Sequence, residues 1–102
     1  MGQPNMRAIQ QMQNRLAKIQ EELAEMVVEG TAGGGAVVAQ VTGSREFRGI
    51  KIDPAAVDPE EVELLEEMIT AAITSAMDEA GRVAEQKMSV LTGGLNIPGL
   101  GF

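Results

Sequence analysis

An apolar seam along the first quarter of the chain constrains the fold more than any other feature. Its members are spaced 3, 4, 3, 4 and 3 residues apart, at Ile9, Met12, Leu16, Ile19, Leu23 and Met26. This is the a/d repeat of helices that pack side by side in coiled coils. The pattern predicts a helix over residues 5–28, about 36 Å long. A chain of 102 residues forms one domain with a modest core, so we expect this helix to project.

A small antiparallel sheet is predicted to follow the helix. The glycines of residues 30–35 break the helix, and residues 37–42 and 46–52 then have strand composition. A tight turn joins these strands, and we expect Gly43 to supply its positive φ. The segment Val-Val-Glu-Gly at residues 27–30 offers a further strand, so the sheet has two or three strands.

The second helix is predicted to begin at a set of mutually consistent capping signals. Asp58 is the expected N-cap, Pro59 occupies the first helical position, and Glu61 can reach back to the cap. Val57 and Val62 occupy the hydrophobic-staple positions. The predicted core stripe of this helix consists of Val62, Leu65, Met68, Ile69, Ala72, Ile73, Ala76, Met77 and Ala80.

The predicted order of elements is α-β-β-(β)-α, an α+β fold in a single domain over residues 1–90. We expect the second helix to continue past Gly81 to about Met88, and the glycine-rich residues 91–102 to form a flexible tail. Two or three short strands cannot cover two helices and a projecting seam. A second copy of the chain can cover them, which predicts a homodimer.

The residue types that are absent restrict the function. The chain has no His and no Cys, so the usual nucleophile, acid/base and thiolate metal sites cannot form. We therefore expect no catalytic residues, no metal, no cofactor and no small-molecule substrate. The glycine run lacks the Gly-Lys-Ser/Thr ending of a phosphate-binding loop, and the acidic runs lack the order of a calcium loop. No segment is apolar enough to span a membrane and the N-terminus is too polar for a secretory signal, which predicts a cytoplasmic protein.

The charges are unevenly distributed along the chain. The net charge is −7, which opposes binding to DNA, because DNA affinity depends on Lys and Arg. However, residues 1–20 contain three cations and no acid, and residues 30–52 contain three cations and one acid. Residues 21–29 carry four Glu and no cation, and residues 53–102 carry ten acids against two cations. By itself, this pattern is also that of solvated helices with an acidic face for solubility.

Four segments of the sequence resemble the YbaB/EbfC family of bacterial nucleoid-associated proteins. They are GTAGGGAV at 30–37, IDP at 52–54, VDPEEVELLEE at 57–67 and LTGGLNIPGL at 91–100. The resemblance extends over nearly the whole chain. It implies a homodimer with paired central sheets, from which long helices project like the arms of tweezers. It also implies weakly selective DNA binding, with a role in nucleoid organisation or gene regulation.

The leading hypothesis is a dimeric nucleoid protein that binds double-stranded DNA. Because no short motif of the family marks DNA-contacting residues, the candidates are chosen by charge: Arg7, Arg15, Lys18, Arg45, Arg48 and Lys51. Glutamines of the first helix could add hydrogen bonds to phosphates or base edges, although Gln is also simply a good helix former. The rival hypothesis is an acidic adaptor whose projecting helices bind another protein. Only two aromatic residues are present, which argues against a dedicated single-strand binder.

Overall fold

The computed structural model describes residues 6–92, which form two helices and one antiparallel sheet. Helix α1 spans Met6–Glu25, strands β1, β2 and β3 span Val27–Ala32, Val37–Thr42 and Phe47–Ile52, and helix α2 spans Val62–Thr92. Short 3-10 turns lie at Gly33–Gly35 and Pro54–Ala56. The predicted α+β order is confirmed, and the sheet has three strands.

The sheet has the order β1-β2-β3, so β2 is its central strand. In the register, Ala39 of β2 lies between Gly30 of β1 and Ile50 of β3. The hairpin between β1 and β2 turns through Gly33–Gly35, where all three residues have a positive φ, a conformation that glycine adopts without steric cost. The glycine triplet thus makes a hairpin between two strands, and α1 has already ended at Glu25.

Helix α2 covers one face of the sheet, and the core lies between them. Three β2 side chains and three α2 alanines are fully buried there: Val37, Ala39, Val41, Ala72, Ala76 and Ala80. Gly30 lies in the middle of β1, where a Cβ atom would overlap the backbone of Ala72 and Ala76. The expectation that Gly30 breaks the first helix is therefore wrong. Its lack of a side chain lets β1 lie directly on α2.

The two halves of α2 have different neighbours, which divides the molecule into two regions. We call the sheet with residues 62–80 the head, and α1 with residues 81–92 the arm. Met26, just after α1, lies beside Val83 and Lys87, whereas Ile19 of α1 lies beside Val90 and Leu91. The two helices of the arm are therefore antiparallel. The chain measures 71 × 27 × 16 Å along its principal axes, so the predicted projection of the first helix is confirmed.

The start of α2 differs from the sequence-based expectation. Asp58 does not cap the helix. Its carboxylate accepts a hydrogen bond from the Glu60 amide at 3.0 Å, and its carbonyl accepts one from the Glu61 amide at 2.9 Å. These bonds close a separate turn, and α2 begins at Val62. Val57 and Val62 are about half exposed, at 55% and 52%. Val62, which is predicted to belong to the core stripe of this helix, is therefore not part of the core.

The turn between β2 and β3 also differs from the prediction. Gly43 does not have a positive φ; the residue that does is Arg45, with φ of 68°. Gly43 is buried against α1, where a Cβ atom would lie 2.8 Å from Cδ2 and 3.0 Å from the carbonyl oxygen of Leu23. Close packing of the turn on α1 explains this glycine.

Helix α2 continues through Gly81 as predicted and ends at Thr92, four residues beyond the predicted end at Met88. Residues 91 and 92, the first two of the predicted tail, are thus helical, and residues 93–102 lie outside the described residues. Within residues 6–92, neither helix has the length and apolar character needed to cross a membrane.

Candidate nucleic-acid interface

Three of the candidate cations form a stripe along α1. At about 100° per residue, Arg7, Arg15 and Lys18 fall within an arc of about 80° around the helix axis, and they span about 16 Å along it. All three side chains are exposed. Leu16 of the apolar seam points about 160–180° away from Arg7 and Lys18. Arg7 and Lys18 therefore lie on the side of the helix away from the seam, whereas Arg15 borders the seam, about 40° from Ile19.

One acid next to this stripe, Glu22, forms an ion pair with the other arm helix. Glu22 lies one turn after Lys18, a spacing at which Lys and Glu commonly pair. Instead, its carboxylate accepts a hydrogen bond from Nζ of Lys87 at 3.0 Å. Arg15 and Lys18 line the groove beside this pair together with Val90 and Leu91. Within residues 6–92, neither Arg15 nor Lys18 forms an ion pair.

Arg82, the other cation of α2, is also paired with a carboxylate. Arg82 donates two hydrogen bonds to Glu79, at 2.9 and 2.6 Å. These bonds lower the pKa of the Glu79 carboxyl and raise the pKa of Arg82. Arg82 and Lys87 are the two cations that the charge-based selection leaves out, and both are held by a carboxylate.

The hairpin of β2 and β3 carries the other three candidates at three different places. Arg45 lies in the turn, and its guanidinium extends over α2 at Gly81. Arg48 is the extra residue at the register shift opposite Val41, a β-bulge that can re-aim a side chain. Lys51 pairs with Val38 on the sheet face away from α2. All three are exposed and, among the described residues, none forms an ion pair.

The structure thus separates the six candidates into a helical stripe, a site at the base of the arm and positions on β3. It does not gather them into one pocket. Cations spread over several elements suit contact with an extended polyanion better than capture of a small molecule.

Sequence reasoning chose these cations by charge but did not predict the ion pairs that hold Arg82 and Lys87. The Glu79–Arg82 pair has the i, i+3 spacing of helical ion pairs, so it could have been predicted. The Glu22–Lys87 pair joins residues 65 positions apart, and no local pattern indicates it. The contact between Arg45 and Gly81 is equally non-local. In the sequence, the one hint of this contact is a glycine, Gly81, in the interior of a predicted helix.

Fold and charge together define a class of protein: a small α+β protein with one sheet and a helical arm that carries a basic stripe. A profile of the YbaB/EbfC DNA-binding family matches residues 1–95. A nucleoid-associated protein of Streptomyces avermitilis is 50% identical over 108 aligned positions, covering 99% of this chain and 96% of that protein. One of Chloroflexus aurantiacus is 49% identical over 90 positions, covering 88% and 90%.

The chain belongs to the YbaB/EbfC DNA-binding family. This is a family of nucleoid-associated DNA-binding proteins and not a family of enzymes. The fold is also similar to that of a crystal structure, the uncharacterized protein HP0035 from Helicobacter pylori, with a TM-score of 0.61 at 18% identity. That alignment covers 86% of this chain and 88% of the other. The resemblance noted in the sequence is confirmed.

Proposed function

We propose that this protein is a homodimer that binds double-stranded DNA through the α1 stripe and the cations of the hairpin. The observation that carries the proposal is the division of the cations. Arg15, Lys18, Arg45, Arg48 and Lys51 are exposed and form no ion pair within residues 6–92, whereas Arg82 and Lys87 are paired. Exposed cations without a carboxylate partner can replace the counterions of phosphates, which is the main source of sequence-independent DNA affinity.

Six of the acids behind the net charge of −7, those of residues 58–67, lie far from the α1 stripe. The acids of residues 58–67 lie at the start of α2, and α1 packs on its other end. Sixteen residues separate Glu67 from Val83, about 24 Å of helix. The Debye length at physiological salt is about 8 Å. Their repulsion is therefore largely screened before it reaches DNA held against the α1 stripe.

Contacts of this kind give weak sequence preference, since phosphate contacts carry no sequence information. Preference would come from DNA shape or from glutamines of α1 at base edges. We infer a role in organising the nucleoid, with effects on gene expression, in the cytoplasm and without catalysis. The named relatives, all nucleoid-associated proteins, support this role.

Dimerisation is proposed because the apolar side chains of α1 are incompletely covered. Met6 and Ile9 are exposed, at 67% and 39%, and Leu16 and Ile19 are half-buried. Light scattering at micromolar concentration should report about twice the chain mass of 10.8 kDa. A well-folded monomer at that concentration would contradict the proposed architecture.

The experiment that tests DNA binding is a salt titration with a random-sequence duplex. If about six phosphates are neutralised per dimer, the log–log slope should be about −5. Changing Arg7, Arg15 and Lys18 together to Gln keeps helix propensity and removes the stripe. That variant should remain folded by circular dichroism, lose most of its affinity and show a flatter slope.

The matched control changes Arg82, whose charge is already paired with Glu79 within α2, to Gln, and it should bind nearly as the wild type does. If the control loses DNA and the stripe variant keeps it, the proposed face is wrong. If the wild type does not bind at about 50 mM salt, the rival function as an acidic adaptor replaces this one.

A further inference from the structure

Two residues at the base of the arm have identities that work against local stability. Arg45 is the one non-glycine residue among residues 6–92 with a positive φ, 68°, where Gly or Asn would be less strained. Gly81 lies inside α2, where Gly is among the least favourable residues. Residues that disfavour their local backbone conformation tend to occur at functional sites. Two such residues in one small region therefore call for a common explanation.

The structure supplies that explanation, because the two residues are in contact. The guanidinium of Arg45 occupies the space that a side chain at position 81 would fill. A Cβ atom on Gly81 would overlap Nη2 of Arg45 and lie 3.5 Å from its Cζ and 3.8 Å from its Nε. Leu23 of α1 lines the same cleft. The cation is therefore held at the junction of the turn and both arm helices.

This contact places the guanidinium against α2 without neutralising it. Arg45 forms no ion pair with any residue from 6 to 92, and its side chain remains exposed. A flexible arginine loses rotamer freedom when it binds a ligand, and holding it in place beforehand reduces that loss. Guanidinium groups are also well matched to the paired oxygens of a phosphate.

We propose that Gly81 is a positioning residue that presets Arg45 to bind a backbone phosphate of double-stranded DNA at the base of the arm. The inference rests on the proposed function and adds one specific contact to it. It also gives a reason for the strained turn: the positive φ at Arg45 directs the side chain back over α2.

The test is Gly81→Ala, which removes no charge. Only the end of a flexible side chain has to move to admit the methyl group, so the fold should be kept, and alanine favours helix. We expect an unchanged or higher Tm together with about 5-fold or greater loss of affinity for a random-sequence 20-base-pair duplex at low salt. Thr74→Ala, on an exposed position of α2, is the matched control that gains helix propensity without touching Arg45, and its affinity should equal that of the wild type.

A double-mutant cycle distinguishes positioning from a general effect on the helix. Arg45→Gln should weaken binding and flatten the salt slope by about 2 per dimer, since two cations are lost. If Gly81 acts only through Arg45, adding Gly81→Ala to that variant should cause no further loss. Additive losses would overturn the inference, as would wild-type affinity for Gly81→Ala.

The two proposals fail in different ways. Wild-type affinity for Gly81→Ala, when Arg45→Gln or the stripe variant loses DNA, overturns the positioning role and leaves DNA binding intact. Absence of wild-type binding overturns both. The contact itself is checked without DNA by the Nε–Hε NMR signal of Arg45, which should shift in Gly81→Ala and not in Thr74→Ala. An unshifted signal would show that the guanidinium does not lie on Gly81.

Discussion

The head and the arm are held together to very different degrees. The head encloses a core of six fully buried residues, in which alanines of α2 lie directly on the sheet. In the arm, Leu23 is the buried apolar side chain among the described residues, at 7% exposure, and the rest of the α1 seam is half-buried or exposed. The two regions share one continuous helix, α2.

This difference shows which region is packed by contacts within one chain and which region keeps surface for a further contact. The core of the head is closed within one chain, where close approach of β1 and α2 excludes water. Four apolar side chains on the surface of the head are nevertheless about half exposed: Val27, Phe47, Val62 and Leu64. The arm keeps a surface that is apolar on one side and basic on another, so its stability and its role depend on what it contacts. Substitutions in the head should therefore change folding, and substitutions in the arm should change association.

The largest effect is expected for Gly30→Ala in the head. The methyl group would overlap the backbone of Ala72 and Ala76, which cannot move without separating β1 from α2. Overpacking usually costs 1–3 kcal/mol, and a clash with helix backbone should reach about 3 kcal/mol or more. Urea denaturation should show a large decrease in the midpoint.

Gly49→Ala is the control for this prediction. No atom lies within 4 Å of the position its methyl group would occupy, so its free energy of unfolding should change by about 0.5 kcal/mol or less. Equal losses for the two variants would mean that glycine flexibility, and not the contact with α2, determines the effect.

A smaller and more local effect is expected for Leu23→Ala at the base of the arm. Leu-to-Ala changes in cores lower the free energy of unfolding by about 2–5 kcal/mol. We expect a loss of about 2 kcal/mol here, because the cleft is open on one side. The loss should fall mainly on α1. Amide hydrogen exchange should become faster in α1 and stay slow in β2. Equal acceleration in both would show that head and arm unfold as one unit.

The smallest effect concerns the Glu79–Arg82 pair on the exposed side of α2. The hydrogen bonds from Arg82 lower the pKa of Glu79 in the folded state. The pair therefore stabilises the protein at neutral pH, and that contribution is lost as the pH falls through the folded pKa. Arg82→Gln should raise the Glu79 pKa toward its ordinary value in an NMR titration. An unchanged pKa would mean that the pair does not form in solution.

The sequence predicts the parts of this fold that depend on local patterns. The seam on α1, residues 37–42 as a strand and the alanine stripe of α2 all follow from periodicity. The errors occur where a non-local contact decides. Gly30 and Gly43 are explained by neighbours on α2 and α1 and not by turns. Asp58 has every mark of a helix cap, yet it closes a turn of its own, because its carbonyl and carboxylate both bind amides before α2 begins.

The candidate site likewise has features that the sequence predicts and features that depend on non-local contacts. Composition alone separates basic from acidic segments, and this separation was enough to choose the six cations. It could not show that Lys87 binds Glu22 across the arm, nor that Arg45 rests on Gly81. Both contacts join residues that are distant in the chain, so no local pattern in the sequence indicates them.

The most direct test of DNA binding by the arm is an NMR titration of the isotope-labelled protein with a 20-base-pair duplex at low salt. The account predicts that amide and side-chain signals of residues 7–18 and 45–51 shift, that those of residues 58–67 do not, and that all shifts are reversed by added salt. Shifts confined to residues 58–67, or no shift in α1 under conditions where the complex forms, would contradict it.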